Sequence, residues 1–150
     1  MPLSQLGERP TKERNKVVID TGVLVSAFIF GGTPEKAIKK AFTETDIYVS
    51  PSILKEYREV PLILEDEKKL TQAQLKALIS GLAAFVTRTI IVHPRSKISI
   101  CRDPADNMLL ECCLESKADI LISGDKDLLD IKVLPFHLKI LTPRKFLEQK

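Results

Sequence analysis

A few short runs of β-branched and aliphatic residues govern what this chain can fold into. They are Val17-Val18-Ile19, Ile47-Tyr48-Val49, Thr89-Ile90-Ile91-Val92 and Ile120-Leu121-Ile122. Each is too short for an ordinary helix and is apolar on both faces. Val17-Val18-Ile19 reads as a strand buried on both sides, the condition of an interior parallel sheet, and the other runs read as further short strands. Lys139-Ile140-Leu141 is a candidate fifth strand.

Helix signals fill the intervals. Gly31-Gly32 breaks the chain, and Thr33-Pro34 then supplies an N-cap and a first-position proline for a helix through about Phe42. Ser50-Pro51 repeats the pattern. From Thr71 to Phe85, Leu75, Leu78, Ile79 and Leu82 recur at helical spacing. Asp103-Pro104 opens a helix carrying Met108, Leu109, Cys112 and Cys113, and Pro143 to Glu148 closes the chain. Strands alternating with helices predict an α/β fold, a three-layer α/β/α sandwich around a central, mainly parallel sheet of about five strands.

The length of 150 residues suits one domain, expected over residues 17–150. Residues 1–16 are polar and carry Arg9, Lys12, Arg14 and Lys16. They read as a solvated arm, with a nucleic-acid contact as the alternative. The net charge of +3 is compatible with a polyanionic partner and decides nothing alone. No run is apolar enough to span a membrane or to serve as a secretory leader. Cys101, Cys112 and Cys113 cannot all pair within one chain, which suggests reduced thiols and a cytoplasmic location. His93 and His137 lie far apart, and no zinc-ligand spacing occurs.

In a parallel sheet the ligand site lies at the carboxyl ends of the strands. Asp20 ends the first strand there, and Asp125 follows the fourth. Glu56 belongs to the helix after the second strand, and Asp106 to the first turn of the helix after the third. Each has an ordinary alternative. Asp20 could be a turn residue, although a carboxylate closing a fully apolar strand is costly without a partner. Glu56 could be a solvated helical acid, but it borders the apolar stripe of Ile53, Tyr57 and Val60 and has no cation at helical spacing. Its neighbour Glu59 has Lys55. Asp103 fits an N-cap before Pro104, and Asp106 then complements the helix dipole. Asp125 could cap a short helix over residues 126–130, with Asp127 in its first turn.

Four clustered carboxylates cannot all stay ionised without a counter-charge. A hard divalent cation such as Mg²⁺ supplies one and suits a carboxylate set completed by water and phosphate. No other nucleophile or base stands beside these acids. The chemistry they suggest is metal-assisted hydrolysis of a phosphodiester.

The stretches VVIDTGVLVSAFIFGGTPEKAI, VSPSILKEYREV, LTQAQLKALI, CRDPADNMLLECCLESKADILISGDKDLL and ILTPRKFLE, in this order, resemble the PIN-domain family over residues 17–148. The similarity is greatest to its prokaryotic toxin components of toxin–antitoxin systems. The resemblance implies a PIN-like sandwich, Mg²⁺ or Mn²⁺ as cofactor, and cleavage of single-stranded RNA. It implies that Asp20, Glu56, Asp106 and Asp125 are catalytic and metal-binding, with Asp103 and Asp127 as accessory acids. Ser123 and Thr21 would support the site. An antitoxin partner and a homodimer are also implied. One departure stands out: the family usually has Asn or Ser two residues after the first acid, and this chain has Gly22. A backbone N–H or a water can take over that contact. Arg102, Lys126 and Lys36 are candidates for phosphate contacts, with solvated surface charge as the alternative.

The competing reading is a catalytically weak or inactive module of the same fold that binds RNA or serves as a scaffold. A phosphatase of the haloacid dehalogenase type would need an acid at position 22. A receiver-like phosphoacceptor would need paired acids near the first strand.

Overall fold

Val17, Val18 and Ile19 are each at most 2% exposed, and their burial places the first strand at the centre of the molecule. The computed structural model describes residues 14–149. The first strand, β1 (Asn15–Ile19), is followed by α1 (Thr21–Phe30), α2 (Gly32–Glu44) and β2 (Thr45–Val49). Next come α3 (Pro51–Asp66), α4 (Gln72–Val86) and the two-residue β3 (Ile90–Ile91). The chain ends with α5 (Pro104–Ser116), β4 (Ile120–Ile122), α6 (Lys126–Leu129), β5 (Lys139–Leu141) and α7 (Pro143–Leu147).

The strands form one five-stranded sheet in the order β3-β2-β1-β4-β5. Every pairing is parallel. Val17 pairs with Ile47 on one side and with Ile120 on the other, so β1 has neighbours on both edges. Helices flank the sheet, as expected for an α/β sandwich. The order turns at β1: successive strands add outward through β2 and β3, then resume on the far side with β4. Ligands of such sheets bind at that switch, outside the carboxyl ends of the strands.

Several local signals operate as expected. The Ser50 side chain accepts from Ile53 N at 3.3 Å and starts α3. Asp103 accepts from Ala105 N at 2.9 Å and starts α5. Thr71 and Gln74 form a reciprocal capping box at α4.

Three expectations need correction. The proposed arm over residues 1–16 falls mainly outside the described residues, but Asn15 and Lys16 already belong to β1. The helix after the Gly31-Gly32 break begins at Gly32 with Gly31 as its N-cap, so Thr33 and Pro34 lie inside its first turn. Most importantly, Thr21–Phe30 is a helix that periodicity did not reveal. Its sequence TGVLVSAFIF is apolar around the whole circumference, because α1 is covered on several sides.

Close packing of α1 depends on a glycine of α4. A Cβ built at Gly81 would stand 2.4 Å from Cγ of Phe28. The ring would have to move in a close-packed contact. We predict that Gly81→Ala destabilises the protein by about 1–3 kcal/mol, despite the better helix propensity of alanine. Chemical denaturation measures this, and an unchanged or raised midpoint would disprove the tight contact.

Candidate metal centre

The backbone N–H of Asp20 donates to the Ile122 carbonyl at 2.9 Å, which locks the end of β1 against β4. Asp20 is also the N-cap of α1. One carboxylate oxygen, Oδ1, accepts from Gly22 N at 3.3 Å; the other, Oδ2, accepts from the Ser123 hydroxyl at 2.7 Å. The Ser123 oxygen in turn accepts from Asp125 N at 3.0 Å. Ser123, fully buried at the end of β4, thus ties the first acid to the fourth. Burial raises the Asp20 pKa; the bonds from Ser123 and Gly22 oppose it, and the charges of Asp125 and Asp103 add to it.

The buried Thr21 hydroxyl donates to Glu56 Oε1 at 2.5 Å, fixing a half-buried acid of α3 beside the start of α1. Burial raises the Glu56 pKa first; the Thr21 bond lowers it, while Asp20 and Asp103 raise it further. Both acids are therefore held by buried hydroxyls, Asp20 by Ser123 at the end of β4 and Glu56 by Thr21 at the start of α1.

Asp106 is only 5% exposed, and its Oδ2 has no hydrogen-bond partner. A buried carboxylate oxygen without a partner costs free energy unless a cation or proton meets it. Asp106, Asp125 and Asp127 each place one carboxylate oxygen so that all three atoms lie within 4.8 Å of one another. Burial, the charge of Asp125 and a carboxyl–carboxylate hydrogen bond with Asp125 push the Asp106 pKa up to about 7. Three convergent carboxylate oxygens, on a set that includes the acid with the orphaned oxygen, fit a hard divalent cation.

Asp127 has two settings at once. It lies in the first turn of α6, where Asp125 caps by accepting from Asp127 N at 2.9 Å. It also supplies one of the three convergent oxygens, in keeping with the accessory role that the family resemblance implies. Asp103 caps α5, and its charge reaches Asp20, Glu56 and Asp106. Asn107, which the sequence did not single out, clamps the preceding loop. Its Oδ1 accepts from Cys101 N at 2.9 Å and its Nδ2 donates to the Cys101 carbonyl at 3.1 Å.

The cations are less committed to the site. Arg102 pairs with Asp127 at 3.3 Å, and Lys126 with Asp130 at 3.6 Å. Lys36 is an exposed residue of α2. Arg102 alone of the three touches a site acid in the described residues.

Because Ser123 orients Asp20 rather than presenting an acid itself, we predict that Ser123→Ala weakens Mn²⁺ affinity by about 10–100-fold. Calorimetric titration of the folded variant checks this. Unchanged affinity would show that Asp20 needs no such support.

An acidic centre at the switch of a parallel sheet defines the class of the protein: an α/β domain suited to divalent-cation chemistry. The PIN domain family model matches residues 16–127, and the chain belongs to that family, whose members are generally nucleases that use divalent metals. An uncharacterized protein of Methanocaldococcus jannaschii, MJ1680, is 38% identical over 151 aligned residues, covering 95% of this chain and 96% of the relative. Among solved structures, a chain from the crystal structure of VapBC2 from Rickettsia felis bound to a DNA fragment from its promoter shares the fold. The TM-score is 0.56 at 15% identity, over 83% of this chain and 98% of that one. No helix among the described residues is long and apolar enough to cross a membrane.

Proposed function

We propose that this protein is a Mg²⁺- or Mn²⁺-dependent endoribonuclease that hydrolyses single-stranded RNA with Asp20, Glu56, Asp106 and Asp125. The observation that carries the reading is the orphaned, buried Oδ2 of Asp106 beside the convergent oxygens of Asp125 and Asp127. Asp106, Asp125 and Asp127 would hold the cation, with Asp20 and Glu56 completing the acidic edge. A divalent ion bound there supplies neutralisation of the scissile phosphate and activation of a water for in-line attack.

The protein's own part is orientation. Ser123 and the Gly22 N–H hold both oxygens of Asp20, so the carboxylate keeps one direction. Thr21 turns one oxygen of Glu56 toward α1 and leaves the other to accept a proton or a water hydrogen. Burial raises the carboxyl pKa of Asp20 and of Glu56, which makes each a better proton acceptor than a solvated carboxylate. Asp103 acts through the start of α5.

The alternative of a silent scaffold rested on Gly22. Without a side chain at position 22, Asp20 is still oriented by its N-cap bond from Gly22 N and by the Ser123 hydroxyl, which supports a working site. A role as the toxin of a toxin–antitoxin pair, with an antitoxin partner and a homodimeric state, belongs to this reading. The sequence resemblance and the shared fold with a VapBC2 chain support it.

The test is an incubation of purified protein with single-stranded RNA, double-stranded RNA and single-stranded DNA, in Mn²⁺, Mg²⁺ or EDTA. Cleavage of single-stranded RNA alone, abolished by EDTA, is expected. Equal cutting in EDTA would sink the metal-dependent reading, and cutting of DNA alone would sink the RNA assignment.

A further inference from the structure

Asp20 and Asp125 also border a cavity of about 550 Å³ on the side of α1, α2 and α7. Its remaining walls are Gly22, Val23, Ser26, Pro34, Gly124 and Pro143. That volume is typical of a small-molecule site. These walls contain no cation. Apart from the two acids, Ser26 carries the only polar side chain among them.

The charge pattern selects what can enter. A phosphate would meet two carboxylates and no counter-charge, so it is repelled from the interior. Proline and valine walls instead favour an uncharged, flat or ring-shaped group. Ser26 can give such a group one directional hydrogen bond. Asp125 at the rim belongs to the proposed cation site, and a cation there would draw the scissile phosphate to the mouth of the cavity, with the nucleoside inside.

Two of the walls are glycines with open space beside them. A Cβ at Gly22 or at Gly124 would meet nothing within 4 Å. Neither residue has the positive φ that would make glycine necessary for the backbone. Gly22 sits in α1, where glycine is a poorer helix former than most residues. What glycine adds at this position is space beside Asp20.

We propose that this cavity is the subsite for the base and ribose of the nucleotide adjoining the scissile phosphate, and that Gly22 sets its width. The proposal rests on the nuclease reading above. Val23, Pro34 and Pro143 grip the nucleoside by apolar contact, and Ser26 bonds a ribose hydroxyl or a base edge. The missing side chain at position 22 is thereby a determinant of substrate fit.

The experiment uses the full-length protein, with Gly22→Leu and Ser26→Leu, and single-stranded RNA oligonucleotides carrying one abasic ribose at each position in turn. Mn²⁺ affinity is measured by calorimetry on each folded variant. In the parent, an abasic ribose beside the cleaved bond is expected to raise KM about tenfold, and abasic sites farther away have less effect. Each leucine variant raises KM for intact RNA by about tenfold, keeps its Mn²⁺ affinity and no longer distinguishes the abasic oligonucleotide. Parent KM values that ignore the abasic position, or leucine variants with parental KM, overturn the subsite. If the parent cuts no RNA, the nuclease reading fails by itself. Fluorescence anisotropy with the same oligonucleotides then decides the subsite: weaker binding by both leucine variants supports it, and parental binding overturns it.

Discussion

In EDTA at pH 8, Asp106→Asn is expected to melt about 5 °C or more above the parent protein. Ionised Asp106 is buried beside Asp125, and its pKa is pushed up to about 7 in the fold. In the unfolded chain it titrates near 3.9. Between these values the folded state binds more protons than the unfolded one, so stability falls as pH rises. The loss is complete above the folded pKa, so the metal-free protein is least stable there. Asparagine carries no charge, and its amide can donate to Asp125. The variant therefore lacks the downward slope between about pH 4 and 7, and its melting curve converges with the parent's near pH 4. Melting scans across that range, in EDTA and then in Mn²⁺, read both effects. A variant that melts below the parent at pH 8 would show that Asp106 stabilises the start of α5 as a helix-dipole partner and is not a strained site acid.

The second large effect falls on activity. Asp20→Asn is expected to lower kcat/KM for single-stranded RNA by more than about a hundredfold, beyond the 10–100-fold typical of a residue that merely supports a ligand. The substitution removes the charge while leaving an amide in place of a carboxylate that receives Ser123 and Gly22. The fold should persist, because β1 and its bond to Ile122 do not depend on the Asp20 charge. Single-turnover cleavage at saturating Mn²⁺ measures the loss, and circular dichroism verifies the fold. A fall of less than tenfold would remove Asp20 from the centre of the mechanism.

Much of this molecule was legible because its signals are local. Ser50, Asp103 and Asp125 cap their helices through contacts two or three residues along the chain, and such contacts leave a sequence pattern. The ion pair of Lys55 with Glu59, at 3.9 Å, is equally local. Strand ends placed Asp20 and Asp125 at one edge of a parallel sheet, since the alternation of elements determines which edge carries the connections. What remained hidden depends on distant residues. Helix α1 has no polar face to mark its period, because neighbouring helices cover it. Gly81 appears as an ordinary weak point of α4 until Phe28 is seen against it. Asp127 reads from the sequence either as a further site acid or as a first-turn acid, and its approach to Asp106 depends on how α5 and the β4–α6 turn meet. Gly22 offers no side chain to Asp20, and the side-chain contact comes instead from Ser123, 103 residues along the chain.

The acids named from the sequence form a chain of contacts rather than a symmetrical quartet. Glu56 is held through Thr21, Asp20 through Ser123, and Asp125 and Asp106 through proximity to each other. That arrangement makes cation binding the central event. It is tested most directly by titrating Mn²⁺ into the metal-free parent and into Asp106→Asn by calorimetry at pH 7.5, in two buffers of different ionisation enthalpy. Saturable binding by the parent, with release of protons and at least about tenfold weaker binding by the variant, is the expected result. Equal binding by both proteins, or none by the parent, would contradict a metal centre built on these acids.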